Sequence, residues 1–416
     1  MVTTLSTGAI QRRFLVLLAL RWLPVGLIAP LLVLILTRDL TLTQVGPLLA
    51  IYSITTAVLE LPTGGLADAI GRRPVLLLSS LAAIAFFALL LISSAYAALA
   101  VAMLVGGVSR ALDSGPLESW FVDRSRAVEP SVDLRVGLAR GGAVDGVALA
   151  LGSIIGGLLP QAFDDRLLVS VAVALVVQVV HLAAVFVLMD EDRRGDRSGA
   201  VGALATIPAT VMAGIRLATR YQPVRRLLLG AATIGVALVA LESLWQPRFV
   251  DLLGDDGGTA FLGVLLALAF AGGAAGSAAA PRLARSVERR GQASAAVGQL
   301  AGAASLAALA LMTSTTLAAL LFVLFFVFNG AAAPLRDDLM HEHVTSDRRA
   351  TMVSAESLVF QGGGFVAALT FPALADAHGI PIVWLVGSLI LAAGALSYTG
   401  VPRRSGAGAG PGQETG

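Results

Sequence analysis

The chain has 416 residues, a formal net charge of +2, 56% hydrophobic residues and only 13% charged ones. Soluble domains carry about a quarter charged residues, so this much apolar surface has no place in a water-soluble core, and the lipid bilayer must be the solvent. There is no cysteine, and all 29 basic residues are arginine. That excludes disulfides, thiolate metal sites, Walker A phosphate loops and Schiff-base chemistry. The small net charge gives no ground for a nucleic-acid partner.

Arg12 and Arg13 precede the first apolar run, 14–37. A signal peptide has a short apolar core and a small-residue cleavage site, whereas this run is long enough to span and reads as an uncleaved first helix. Further segments of spanning length follow at 45–66, 74–94, 97–121, 136–159 and 167–189. After a polar stretch come 226–245, 261–281, 293–312, 317–335, 352–374 and 381–398. The pattern predicts an all-α membrane protein with twelve transmembrane helices in two pseudo-symmetric six-helix bundles. The expected divisions are a first bundle over 1–190, a cytoplasmic linker over 191–225, a second bundle over 226–402 and a disordered cytoplasmic tail over 403–416.

The arginines test this map. With the N-terminus inside, only Arg38, Arg166 and Arg248 fall on outer segments, while those outer loops carry Asp164, Asp165, Asp251, Asp255 and Asp256. This is a positive-inside bias, and it predicts an inner-membrane, multi-pass protein with both termini cytoplasmic.

The connection between helices 2 and 3 reads Gly64-Gly65-Leu66-Ala67-Asp68-Ala69-Ile70-Gly71-Arg72-Arg73-Pro74. It resembles the major facilitator signature G-x-L-A-D-x-x-G-R-[KR] at each fixed position. The resemblance implies a secondary transporter that works as a monomer. It also implies a conformational gate at Gly64, Asp68, Gly71, Arg72 and Arg73. In that gate Asp68 would latch onto the N-terminus of helix 11, where an anion is stabilised, with Arg72 as its basic partner. The second half has a weaker counterpart between helices 8 and 9, Gly276 to Arg282 followed by Arg285, Arg289 and Arg290, without the aspartate. Glu60-Leu61-Pro62 and the helix 4 stretch Arg110 to Asp123 are similar to uncharacterised bacterial facilitators, many presumed exporters. One feature departs from drug-exporting members: helix 5 reads Gly152-Ser153-Ile154-Ile155-Gly156-Gly157, with no glycine-proline motif.

Ionisable residues inside spanning helices usually face a cavity or a partner. Here they are Arg21 in helix 1, Glu60 in helix 2, Arg110, Asp113 and Glu118 in helix 4, Asp145 in helix 5, Glu242 in helix 7 and Glu356 in helix 11. They avoid helices 3, 9 and 12, as the facilitator layout implies, because those helices lie outside the cavity. Acids outnumber arginines, and a carboxylate without a partner in low dielectric is driven to its protonated form. Proton coupling and a cationic or neutral solute are therefore expected.

Arg110 and Asp113 share a helix face and are expected to pair, either as a relay or as a static pair. Arg21 is expected to pair with Asp145 or Glu60. Glu242, with Gln246 one turn on, is the first choice for a substrate- or proton-binding acid in the second half; the alternative is a pair with Arg248. Asn329, Gly330 and Gln361 are weaker candidates. His341-Glu342-His343 looks like a metal fragment but falls on a predicted solvated loop, so no metal is expected. His181 with Gln178 reads as structural. No catalytic triad or cofactor motif is found, so the chain is not expected to be an enzyme. Proton-coupled efflux of a small molecule is the expected function, with an importer or a transporter-like ligand sensor as alternatives.

Overall fold

The structure is a computed structural model that describes residues 6–164, 166–190, 222–254, 258–286, 291–343 and 349–400. Among these residues every regular element is a helix. Helix 1 runs Thr7–Ile28 and resumes as Leu32–Thr37; helix 2 is Leu42–Ile70; helix 3 is Arg72–Ile92. Helix 4 is split into Tyr96–Asp113 and Pro116–Val128; helix 5 is Arg135–Ala162 and helix 6 is Leu168–Leu188. Helix 7 is split into Gln222–Glu242 and Trp245–Leu253. Helices 8 to 12 are Thr259–Ser286, Gly291–Leu311, Thr315–His343, Arg349–His378 and Ile380–Ala395, the last continued by a 3-10 turn, Leu396–Gly400.

Among the described residues, these twelve helices fall on the twelve predicted spans. Among the described residues, ten helical stretches are long and apolar enough to cross a membrane, and Ala295–Leu311 is a shorter apolar one. Helix 1 is interrupted at Ala29, Pro30 and Leu31, because proline has no N–H to donate and its ring crowds the preceding turn. Two details differ from the sequence reading. Helix 7 starts at Gln222, inside the expected linker. Residues 341–343, expected in a loop, form the last turn of helix 10. The stretch 191–221 and the tail from 401 lie outside the described residues.

Several termini are written locally. Ser6 caps helix 1 by accepting from the Ala9 N–H. Thr41 and Gln44 form a reciprocal capping box at the start of helix 2. The turn from helix 2 into helix 3 is made by Gly71 alone, at φ 97° and ψ 156°, a conformation closed to residues with a Cβ. The signature glycine at this position therefore has a backbone reason.

Two buried clusters draw their cores from the first six helices: one around Leu27, Leu31, Leu48, Phe86 and Met103, the other around Phe14, Leu17, Trp120 and Phe121. Two more draw on the last six: one around Leu241, Trp245, Phe249, Phe322 and Trp384, the other around Leu227, Met340 and Tyr398. Stacking of Phe14 on Phe121, with centroids 4.3 Å apart, ties helix 1 to helix 4. Trp245 sits 5.2 Å from Phe322 and ties helix 7 to helix 10.

Small residues allow close approach of backbones, the main source of helix association in lipid. A Cβ on Gly152 would stand 2.9 Å from the Gly26 Cα, and a Cβ on Gly157 would stand 2.9 Å from the Gly263 Cα. Helix 5 therefore uses one glycine face against helix 1 and another against helix 8. Gly152 and Gly157 are packing elements in the fold.

Candidate functional site

The two sets of six helices meet along helices 2 and 11 and along helices 5 and 8. Polar contacts across this seam cluster at the end of the bundle that holds Arg38. The Thr43 N–H donates to Asp376 Oδ2 at 2.7 Å, and the Thr43 hydroxyl donates to the same oxygen. Gln246 Nε2 donates to the Ala29 carbonyl at 3.2 Å. Ala29 opens the interruption of helix 1, so its carbonyl is available to a partner outside the helix. Thr259 Oγ1 donates to the Gly157 carbonyl at 2.6 Å. The Arg38 end is thus tied across the seam by side chains on both halves. Thr43 and Asp376 were not singled out in the sequence, since a threonine and an aspartate at helix ends carry no distinguishing pattern.

The charged centre of the first half is Arg21, 7% exposed. Its Nε donates to Asp113 Oδ2, its Nη2 to the Asp113 carbonyl at 2.9 Å and its Nη1 to Glu118 Oε1 at 2.9 Å. All three acceptors flank the interruption of helix 4 at Ser114 and Gly115. Gly115 adopts the left-handed conformation, φ 94°, which ends one segment and lets Pro116 start the next. The interruption frees the Asp113 carbonyl, and Arg21 reaches across from helix 1 to satisfy it.

This arrangement corrects two expectations. Arg21 pairs with Asp113 and Glu118 rather than with Asp145 or Glu60. Asp113 turns to helix 1 rather than to Arg110, because the helix ends at Asp113 and its carboxylate is drawn to a guanidinium that also holds its carbonyl. Arg110 instead lies over the Trp22 ring, 5.1 Å from guanidinium carbon to centroid, and Arg21 lies 5.3 Å from the same centroid. Asp145 is half-buried and lies within electrostatic reach of Arg21, Asp113 and Glu118, with one carboxylate oxygen enclosed and unpartnered.

Glu60 links this centre to the second half. Its Oε1 accepts from the Ser114 hydroxyl at 2.9 Å, and its Oε2 accepts from Gln361 Nε2 of helix 11 at 3.5 Å. Gln361, a weak candidate in the sequence, is thereby placed against Glu60. Through Ser114, the helix 4 interruption held by Arg21 is connected to helix 11.

Of the signature, Gly64 and Asp68 lie on the helix 2 backbone, and the Asp68 side chain lies outside the described residues. Arg72 donates to the Ser119 carbonyl at 2.8 Å and to Asp123 Oδ2 of helix 4. Arg73 lies 4.8 Å over the Phe186 ring of helix 6. The two arginines bind the start of helix 3 to its neighbours on either side.

In the second half, Glu242 is the last residue of the first segment of helix 7. It is exposed and, among the described residues, has no ion-pair or hydrogen-bond partner. Gln246, four residues on, touches helix 1. The alternative pair with Arg248 is not formed, for Arg248 Nη2 donates to the Met312 carbonyl at 2.9 Å. Glu356 on helix 11 lies within electrostatic reach of Arg336 and Asp337 of helix 10. His181 is buried with Ser80 Oγ and Gln178 Nε2, each 3.2 Å from its Nδ1, which fits the structural reading. The side chains of His341, Glu342 and His343 lie outside the described residues, and among the described residues no cluster of metal-ligating side chains occurs.

The sequence profile of the major facilitator superfamily matches residues 14–368. The chain belongs to the major facilitator superfamily. Several solved structures share this facilitator's fold. A point mutant of the nucleoside transporter NupG superposes with a TM-score of 0.80 at 9% identity, covering 95% of this chain and 100% of that one. The human organic anion transporter MFSD10 (TETRAN) gives 0.61 at 18% identity, covering 94% and 99%. A POT family transporter in complex with a thioalcohol-conjugated peptide gives 0.68 at 13% identity, covering 94% of each chain. No curated protein matches the sequence. Membership and fold make this facilitator a multi-pass membrane transporter rather than an enzyme.

Proposed function

We propose that this facilitator is a proton-coupled secondary transporter that exports a small cationic or neutral solute across the cytoplasmic membrane by alternating access, as a monomer with both termini in the cytoplasm. The observation that carries the coupling is Glu242. It is a carboxylate in a spanning helix with no ion-pair partner among the described residues, one turn from a glutamine that touches the opposite half. A carboxylate in a spanning helix without an ion-pair partner usually faces a cavity and marks an ion or substrate pathway, so it suits alternate loading from the two sides. The contacts at the Arg38 end support alternating access: with that end outside, they form an outer gate. In the opposite conformation the Thr43–Asp376 and Gln246–Ala29 contacts separate, and the signature residues Gly64, Asp68, Gly71, Arg72 and Arg73 close the other end.

The test uses inverted membrane vesicles energised with a proton gradient and a pH-sensitive fluorophore, with cationic, neutral and anionic compounds added in turn. Compound-dependent proton release in the native protein, absent in Glu242→Gln and in Asp68→Asn, supports coupled export. Silence across the panel in vesicles that contain folded protein counts against it. Import is the second reading, favoured by helix 5, whose run from Gly152 to Gly157 lacks the exporter's glycine-proline motif. Compound-dependent uptake with protons in right-side-out vesicles decides for import.

A further inference from the structure

The two arginines of the first half differ in how their charge is met. Arg21 makes three hydrogen bonds and is neutralised by Asp113 and Glu118. Arg110 has no carboxylate within ion-pair range among the described residues, although Asp113 is three residues away, because Arg21 holds that carboxylate. One nitrogen of Arg110, Nη1, is enclosed without a hydrogen-bond acceptor, while Nε and Nη2 are neither bonded to a described residue nor enclosed. The guanidinium lies on the Trp22 ring, and the indole Nε1 is also enclosed without a partner. The Arg21 and Arg110 guanidinium carbons lie 5.3 and 5.1 Å from the Trp22 ring centroid.

An arginine in a spanning helix without a counter-charge is unfavourable, and such residues mark substrate pathways. Cation–π contact with an indole offsets part of the missing charge and orients the guanidinium, but supplies no acceptor for its N–H groups. A planar guanidinium offers two parallel N–H donors that match a carboxylate. No side chain of the described residues fills that role.

We infer that Arg110, oriented by Trp22, is the docking point for a carboxylate of the transported solute, which is therefore amphoteric rather than a simple cation. The inference rests on the transport reading above and narrows its solute class. The acid surplus that favours cations in the sequence is reduced once Arg21 has taken Asp113 and Glu118. Glu242 remains unpaired, for the basic part of the same molecule. An amphoteric solute is net-neutral and satisfies both features.

The test is equilibrium binding to the purified protein in detergent, read by tryptophan fluorescence, with benzoate as the acid probe and benzylamine and benzyl alcohol as matched controls. Benzoate is expected to give a saturable change that vanishes in Trp22→Phe. Its affinity is expected to fall about tenfold or more in Arg110→Gln, the loss that follows from removing a charge-assisted pair. Arg110→Lys, which keeps the charge without the planar fork, is expected to bind more weakly than the native protein. That variant carries the test if the glutamine variant fails to elute as folded protein. The inference is overturned by an absent benzoate response in the native protein. It is equally overturned by unchanged affinity in both Arg110 variants, or by benzylamine binding as tightly as benzoate. No proton gradient is involved. Intact benzoate binding in a protein silent in the vesicle assay therefore counts for this site and against proton coupling.

Discussion

Arg21 and Asp113, ninety-two residues apart, are joined twice, once through the carboxylate and once through the backbone carbonyl of Asp113. The second bond is the more telling one. It exists only because helix 4 stops at Asp113 and leaves that carbonyl without an intrahelical donor. Arg21 thus serves as counter-ion and as helix cap from a neighbouring helix.

Arg21→Ala leaves Asp113 and Glu118 without a cation and the Asp113 carbonyl without a donor. Breaking a buried pair by removing one partner is expected to lower stability by ~3 kcal/mol. The midpoint of thermal unfolding in detergent reads this. Arg21→Lys is expected to fall between the native protein and the alanine variant, since an ammonium cannot serve all three acceptors in the same geometry. An alanine variant as stable as the native protein would show that the network contributes nothing.

Gly115→Ala places a Cβ in the left-handed region at the helix 4 interruption. There is open space around it, so the effect is backbone strain alone. A loss of ~1 kcal/mol is expected, the usual penalty for a side chain in that conformation. It should be less than additive with Arg21→Ala, because both act on the same interruption. Thermal midpoints of the single and double variants test both statements.

Gly152→Val drives a branched side chain into the backbone of helix 1, where even a Cβ would stand 2.7 Å from the Leu23 carbonyl oxygen and 2.9 Å from the Gly26 Cα. Neither atom belongs to a flexible side chain, so helices 1 and 5 must separate. The expected loss is ~2 kcal/mol or more. Gly142→Val, on the same helix with nothing within 4 Å of its Cβ position, is the control and should leave the midpoint near that of the native protein.

The pair T43C with D376C tests the latch at the Arg38 end. The chain has no cysteine, so no background thiol needs removal. Oxidative cross-linking is expected to trap the conformation closed at that end and to abolish transport, with activity restored by reductant. Each single variant should keep its activity under the same oxidant. Full transport by the cross-linked protein would mean that this end does not open in the cycle.

Much of the architecture was legible along the chain. Spanning length and apolarity specify twelve helices because a bilayer offers no partner for a bare backbone, so each apolar run must be helical and close to one membrane thickness. The signature from Gly64 to Arg73 marks the family, and Gly71 shows why one of its glycines is needed. The charged positions Arg21, Glu60, Arg110, Asp113, Asp145, Glu242 and Glu356 stand out because charges are rare in such helices. Sequence spacing alone did not determine their partners. Arg110 and Asp113 are one turn apart and should meet on an intact helix, yet the interruption at Ser114 and Gly115 turns Asp113 to Arg21. Which acid meets which arginine depends on helix rotation and on where a helix stops, and only the packed structure sets both. The same holds for Thr43 with Asp376, and for Trp22, whose contact with the Arg110 guanidinium results from the packing of helix 1 against helix 4.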